Sequence, residues 1–110
     1  MSNIIKKRFD SGCPSWEKEA KFNECFLKAQ QNYFTEMMQV QGFVFLRDVY
    51  MGLGLATTKE SCILGWVKGV VKEKDYVNFS YSQIEDTSDF ELIFECYPIL
   101  DYLKMENVAG

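Results

Sequence analysis

The sequence predicts an α+β fold in which two N-terminal helices pack on a three- to four-stranded antiparallel sheet. Three observations lead there. A stretch free of glycine and proline, from Trp16 to about Val40, repeats apolar residues at helical spacing. Two later segments, YVNFSY (76–81) and FELIFECY (90–97), alternate apolar and polar residues as half-buried strands do. The helical signals all precede the strand signals, the order expected of segregated helices and strands. With 110 residues, 47% of them hydrophobic and 15% aromatic, the chain has room for one domain and one core. The expected division is a mobile basic arm over residues 1–14 and a single α+β domain over 15–110.

The arm carries Lys6, Lys7 and Arg8, then Ser11, Gly12 and Pro14. Ser15 is the expected N-cap of the first helix, with Glu17 and Glu19 in its first turn, where the helix dipole favours negative charge. Phe22, Phe26, Ala29, Tyr33, Met37 and Val40 recur in steps of four and three and mark its inward face. Leu27, Phe34 and Met38 widen the apolar surface beyond that stripe and offer a contact for a homodimer through this helix. Gly42 ends the run. A second helix is expected from Phe43, with Phe43, Leu46, Val49 or Tyr50, and Leu53 inward, and Gly54 as its left-handed cap.

After a polar connection at 57–61, CILGWV (62–67) reads as a buried strand. In it, Gly65 permits close backbone approach and Trp66 is a core anchor. Residues 68–75 read as a loop. YVNFSY places Val77, Phe79 and Tyr81 on one face, and residues 82–89 form a turn rich in acceptor side chains. FELIFECY opposes Phe90, Leu92, Phe94 and Cys96 to Glu91, Ile93 and Glu95. Beyond Pro98, residues 99–105 are expected as an edge strand or a short terminal helix.

Histidine is absent, and Cys13, Cys25, Cys62 and Cys96 form no CxxC pair, so neither the usual general base nor a familiar zinc spacing is present. Phosphate-cradling GxxxxGK[ST] and GxGxxG loops are missing as well. The expectation is a protein that is not an enzyme and has no cofactor and no metal site. Its thiols are expected to be reduced, three of them in apolar surroundings. No apolar run approaches the roughly 18 residues of a membrane span. MSNIIKKRFD lacks the apolar stretch of a signal peptide, so a cytoplasmic protein without membrane contact is expected.

Residues 31–67, QNYFTEMMQVQGFVFLRDVYMGLGLATTKESCILGWV, resemble small uncharacterised proteins carried by phages and conjugative elements of Gram-positive bacteria. Gly42, then Phe45, Leu46, Val49, Tyr50, Leu53 and Gly54, match their F-L-x-x-V-Y-x-x-L-G motif and the glycine before it. Thr58 and Lys59 match a connector, and Gly65, Trp66 and Val67 a following strand. YVNFSY is a loose match to a later strand, and Ile99, Leu100, Asp101 and Tyr102 a moderate one to a C-terminal element, so the likeness spans about 31–104. It implies a genetic context and no catalytic residue.

Charge supplies the functional expectation. Net charge is −4, yet residues 1–74 hold eleven Lys or Arg against eight Asp or Glu, and residues 75–110 hold Lys104 against eight acids. The expected function is a non-enzymatic interaction protein that binds a basic protein surface, such as that of a nucleic-acid-binding host effector, and so inhibits a host defence nuclease. Glu85, Asp86, Asp89, Glu91 and Glu95 are the candidate contacts. Direct nucleic-acid binding by this region has the wrong sign. Two alternatives stand beside it: a module that sequesters a small molecule or nucleotide, and a small enzyme working without histidine.

Overall fold

The computed structural model describes residues 3–69, 77 and 79–99. In chain order these residues form strand β1 (Asn3–Phe9), helix α1 (Ala20–Gln41), strand β2 (Phe43–Phe45) and helix α2 (Leu46–Leu53). A 3-10 turn (Glu60–Cys62) and strands β3 (Leu64–Val67), β4 (Phe79–Gln83) and β5 (Phe90–Pro98) follow. The fold is α+β, with one five-stranded antiparallel sheet in the order β1-β5-β3-β2 and β4 also paired to β5.

Strand β5 organises the sheet. Along one edge it meets all of β1, from Asn3 opposite Cys96 to Phe9 opposite Phe90. Along the other it meets β4, from Phe79 opposite Phe94 to Gln83 opposite Phe90, and then β3 at Tyr97 and Pro98. The alternation expected of FELIFECY is present: Phe90, Leu92, Phe94 and Cys96 are buried, whereas Glu91 is exposed. Phe94 packs edge-on against Tyr50 of α2 at 5.5 Å between ring centres, and against Phe79 of β4 at 5.4 Å.

The expected order of elements is wrong at its start. The chain does not open with two helices; a strand precedes both, and residues 3–9, assigned to a mobile arm, are that strand. Burial explains it. Phe9 is fully buried opposite Phe90, and Ile5 packs on the core opposite Phe94. Lys7 shares that inner face and lays its ammonium over the Tyr50 ring, 5.6 Å from the centroid. Lys6 and Arg8 take the outer face. Three consecutive cations thus hide an alternating strand.

Helix α1 also corrects the sequence reading. It starts at Ala20, with Glu19 rather than Ser15 at the N-cap and no side-chain cap hydrogen bond. Residues 10–15 form turns in which Cys13 N donates to Asp10 O and Trp16 N to Cys13 O. The buried residues of α1 are Asn23, Leu27, Phe34 and Met38, while Phe22, Tyr33 and Val40, expected inward, are exposed. The cause is polar. Gln31 Nε2 donates to Phe79 O at 2.7 Å, and Thr35 Oγ1 accepts from Val77 N at 3.0 Å, so α1 partners backbone groups at the start of β4 and just before it. The face that does this must mix polar and apolar residues; of the expected stripe, Phe26 and Met37 still pack partly on the core, while Phe22, Ala29, Tyr33 and Val40 turn outward.

The second helix begins at Leu46 rather than Phe43. Gly42, with φ 90°, turns the chain, and Phe43–Phe45 pairs with β3. From there the expectation holds: Leu46, Val49, Tyr50 and Leu53 are buried, and Gly54 closes the helix at φ 78°. Trp66 is buried in β3 opposite Val44. A Cβ on Gly65 would collide with Val44 O and Ile99 Cδ1, so only glycine lets β2 and β3 approach this closely. The expectations for residues 70–76 and for an element over 99–105 fall, apart from Ile99, outside the described residues. No helix among the described residues is long and apolar enough to cross a membrane.

Candidate functional surface

Strands β4 and β5 are joined by a turn that carries three of the five acids singled out from sequence. Its backbone is tied at several points. Ile84 N donates to Asp89 O at 2.9 Å, and Thr87 N to Ile84 O at 3.1 Å. Thr87 Oγ1 donates to Ile84 O and accepts from Asp89 N, and Gln83 Nε2 donates to Thr87 O at 2.7 Å. Asp86 adopts φ 62°, a left-handed conformation that aspartate tolerates better than most side chains.

A second set of bonds fixes the turn to the helix. Asn23, fully buried, donates from Nδ2 to both Glu17 O and Ser88 O at 2.8 Å, and its Oδ1 accepts from Glu17 N at 2.8 Å. Ser88 Oγ donates to Lys18 O. One amide side chain therefore joins the lead-in to α1 to the turn. No hydrophobicity pattern could single out Asn23, because its value lies in which backbone groups meet it.

The five acids do not form one negative field. Glu85 and Asp86 are exposed at the tip of the hairpin. Asp89 is engaged within the molecule: its Oδ2 accepts from Arg8 Nη2 at 2.7 Å. That hydrogen bond is the main reason the Arg8 guanidinium holds its proton more tightly than usual. Arg8 Nε also lies 3.9 Å from Asp10. On the outer sheet face, Glu91 stands opposite Arg8 and Glu95 opposite Ile4, with Lys6 opposite Ile93 between them. Ser80 and Ser82 of β4 complete this face, opposite Ile93 and Glu91. The basic segment that sequence reading set apart from the acids is threaded among them. Lys6 and Arg8 were missed as members of this surface because strand pairing across more than 80 residues leaves no local trace.

Of the four thiols, Cys13 and Cys96 are buried, while Cys25 and Cys62 are exposed, so two rather than three are enclosed. Burial pushes Cys96 up to about 12, with Glu60 and Glu95 adding to the shift. Tyr50 is also raised to about 12, mainly by burial and then by Cys96 and Glu60. Both groups are neutral at physiological pH. Among the described residues no group of three or more Cys, Asp or Glu side chains is placed to hold a metal ion.

The other conspicuous surface is the outward stripe of α1. Phe22 is 63% exposed, Tyr33 56% and Val40 89%. Tyr33, Glu36, Met37, Val40 and Gln41 line an open hollow of about 290 Å³ on this stripe. Leu27, Phe34 and Met38, expected as a dimer contact, are buried in the core and unavailable for one.

A family of unknown function, DUF6353, matches residues 4–103. The chain belongs to this family. The match begins within β1 and extends through β5. No curated protein and no solved structure matches the chain.

Proposed function

We propose that this member of the family acts by binding another protein, without catalysis, through the tip of the β4–β5 hairpin. Glu85 and Asp86 are the contacting carboxylates, Glu91 and Glu95 contribute from the adjoining sheet face, and the partner presents a basic surface. The observation that carries this reading is a turn whose backbone is fixed by hydrogen bonds while its two tip acids stay exposed. An ordered turn loses little freedom on docking. Asp89 serves the hairpin rather than the partner, through Arg8.

In its narrower form the proposal places the protein in a phage or conjugative element and makes it an inhibitor of a host defence nuclease. The resemblance over residues 31–67 supports that origin. The sign of the tip supports that target, since a surface built to grip phosphates attracts carboxylates.

The test is affinity capture from the host with the full chain, followed by binding kinetics on the recovered partner. Exposed pairs contribute about 0.2–1 kcal/mol each, so the informative variant is the double change Glu85→Gln with Asp86→Asn. Association should slow several-fold at low salt, and the salt dependence should shrink. An affinity unchanged at low salt would remove the hairpin tip from the interface.

A further inference from the structure

We infer that the outward stripe of α1 is the docking site for a second copy of this chain, paired antiparallel across a two-fold axis near residue 31. This rests on observations independent of the hairpin reading. Phe22, Phe26, Ala29, Tyr33, Met37 and Val40 follow one another in steps of four, three, four, four and three, so they form a continuous ridge along a helix about 33 Å long. The sheet does not cover it: Phe22, Tyr33 and Val40 are exposed, and only Phe26, stacked 5.6 Å from Phe9, and Met37 reach back to the core.

Size matching selects the occupant. When the helix is laid antiparallel on itself about residue 31, Phe22 falls opposite Val40 and Ala29 opposite Tyr33, each twice by symmetry. At these two positions a large side chain meets a smaller one, while Phe26 and Met37, which lean on their own core, fall opposite Glu36 and Cys25. Phe22 of the second copy lies over the hollow beside Met37 and Val40. A parallel pairing would instead set Phe22 on Phe22 and Tyr33 on Tyr33, with the helix dipoles aligned. The charges of α1 do not oppose self-association, since Lys21 and Lys28 are balanced by Glu24 and Glu36.

Area points the same way. An aromatic side chain carries roughly 150–250 Å², so each exposed ring offers on the order of 100 Å². Val40 adds a similar amount, and Met37, Ala29 and the flanking polar atoms extend the contact. Two such ridges bring about 600 Å² from Phe22, Tyr33 and Val40 alone, and the flanking atoms carry the contact toward the roughly 1,000 Å² of a specific interface.

Sedimentation equilibrium on the full chain, from micromolar to millimolar concentration, tests this. The parent should show the dimer mass, and Tyr33→Glu with Val40→Glu should be monomeric with unchanged helical circular dichroism. A paired design then checks that ridge meets ridge. One chain carries Ala29→Lys and Tyr33→Lys, the other Ala29→Glu and Tyr33→Glu. Each alone should be monomeric, and the mixture should form a heterodimer in equal proportion. The inference is overturned by a parent that stays monomeric at millimolar concentration, or by a dimer indifferent to Tyr33→Glu with Val40→Glu. A mixture of folded charge variants that fails to assemble overturns it equally, and would leave the ridge to a different occupant.

Discussion

At the scale of single residues, Gly65 and Asn23 do work that no apolar residue could. Gly65 sits between Phe45 of β2 and Tyr97 of β5, where an added methyl would meet the backbone oxygen of Val44. Backbone cannot rotate aside as a side chain can. Gly65→Ala should therefore destabilise by about 1–3 kcal/mol or more, read as a lower urea midpoint at unchanged slope. Asn23 makes a different case, because its three hydrogen bonds are all to backbone groups. Asn23→Leu roughly keeps the volume but leaves Glu17 N and Ser88 O without this partner, at a cost of about 1–3 kcal/mol. A melting temperature equal to the parent's would mean that water replaces the amide.

At the scale of elements, β1 decides how the molecule should be cut. Removing residues 1–9 would strip the partner strand from all of Phe90–Cys96 and uncover Phe90, Leu92 and Phe94. Such a truncation should lose the cooperative thermal transition altogether. A truncated chain that melts like the parent would return residues 1–9 to the status of an arm. The contrast with β5 shows what a sequence makes legible. FELIFECY announces itself because each inward residue is apolar and its neighbours mostly are not. In NIIKKRF the inward Lys7 is charged and the outward Ile4 is apolar, so the alternation is blurred, and only the register with β5 restores it. Helix α1 misleads for the opposite reason. Its apolar ridge is so regular that periodicity selects it as the inner face, whereas Asn23, Gln31 and Thr35 turn inward to meet backbone groups. The exposure of Glu85 and Asp86 was legible from a polar turn between two strands. The engagement of Asp89 by Arg8 was not, since the partner lies 81 residues away.

At the scale of the whole molecule, the distribution of ionisable groups sets the response to pH. Cys96 rises from 9.0 to about 12 and Tyr50 from 10.0 to about 12, and both lose a proton to become charged. The unfolded chain therefore releases these protons at lower pH than the folded one. Stability is fully present below about pH 9 and declines as pH climbs toward 12. Chemical denaturation in alkaline buffers should show that decline, and Cys96→Ala should reduce its steepness. Thiol labelling of the native protein at neutral pH gives a second reading. The exposed Cys25 and Cys62 should react quickly, and the buried Cys13 and Cys96 only after unfolding.

The pairing of β1 with β5 has a consequence for biosynthesis. On the ribosome β1 emerges early, yet its partner residues lie 81 to 93 positions downstream. At bacterial and eukaryotic elongation speeds that separation corresponds to a wait on the order of 4–19 s. During it, the exposed Ile4, Ile5 and Phe9 present an unpaired strand to every neighbouring chain. The strand β5, which receives β1, β3 and β4 together, is made after all of them. Nascent chains stalled before Phe90 should remain open to protease and be held by chaperones, while chains released past Pro98 close in one step.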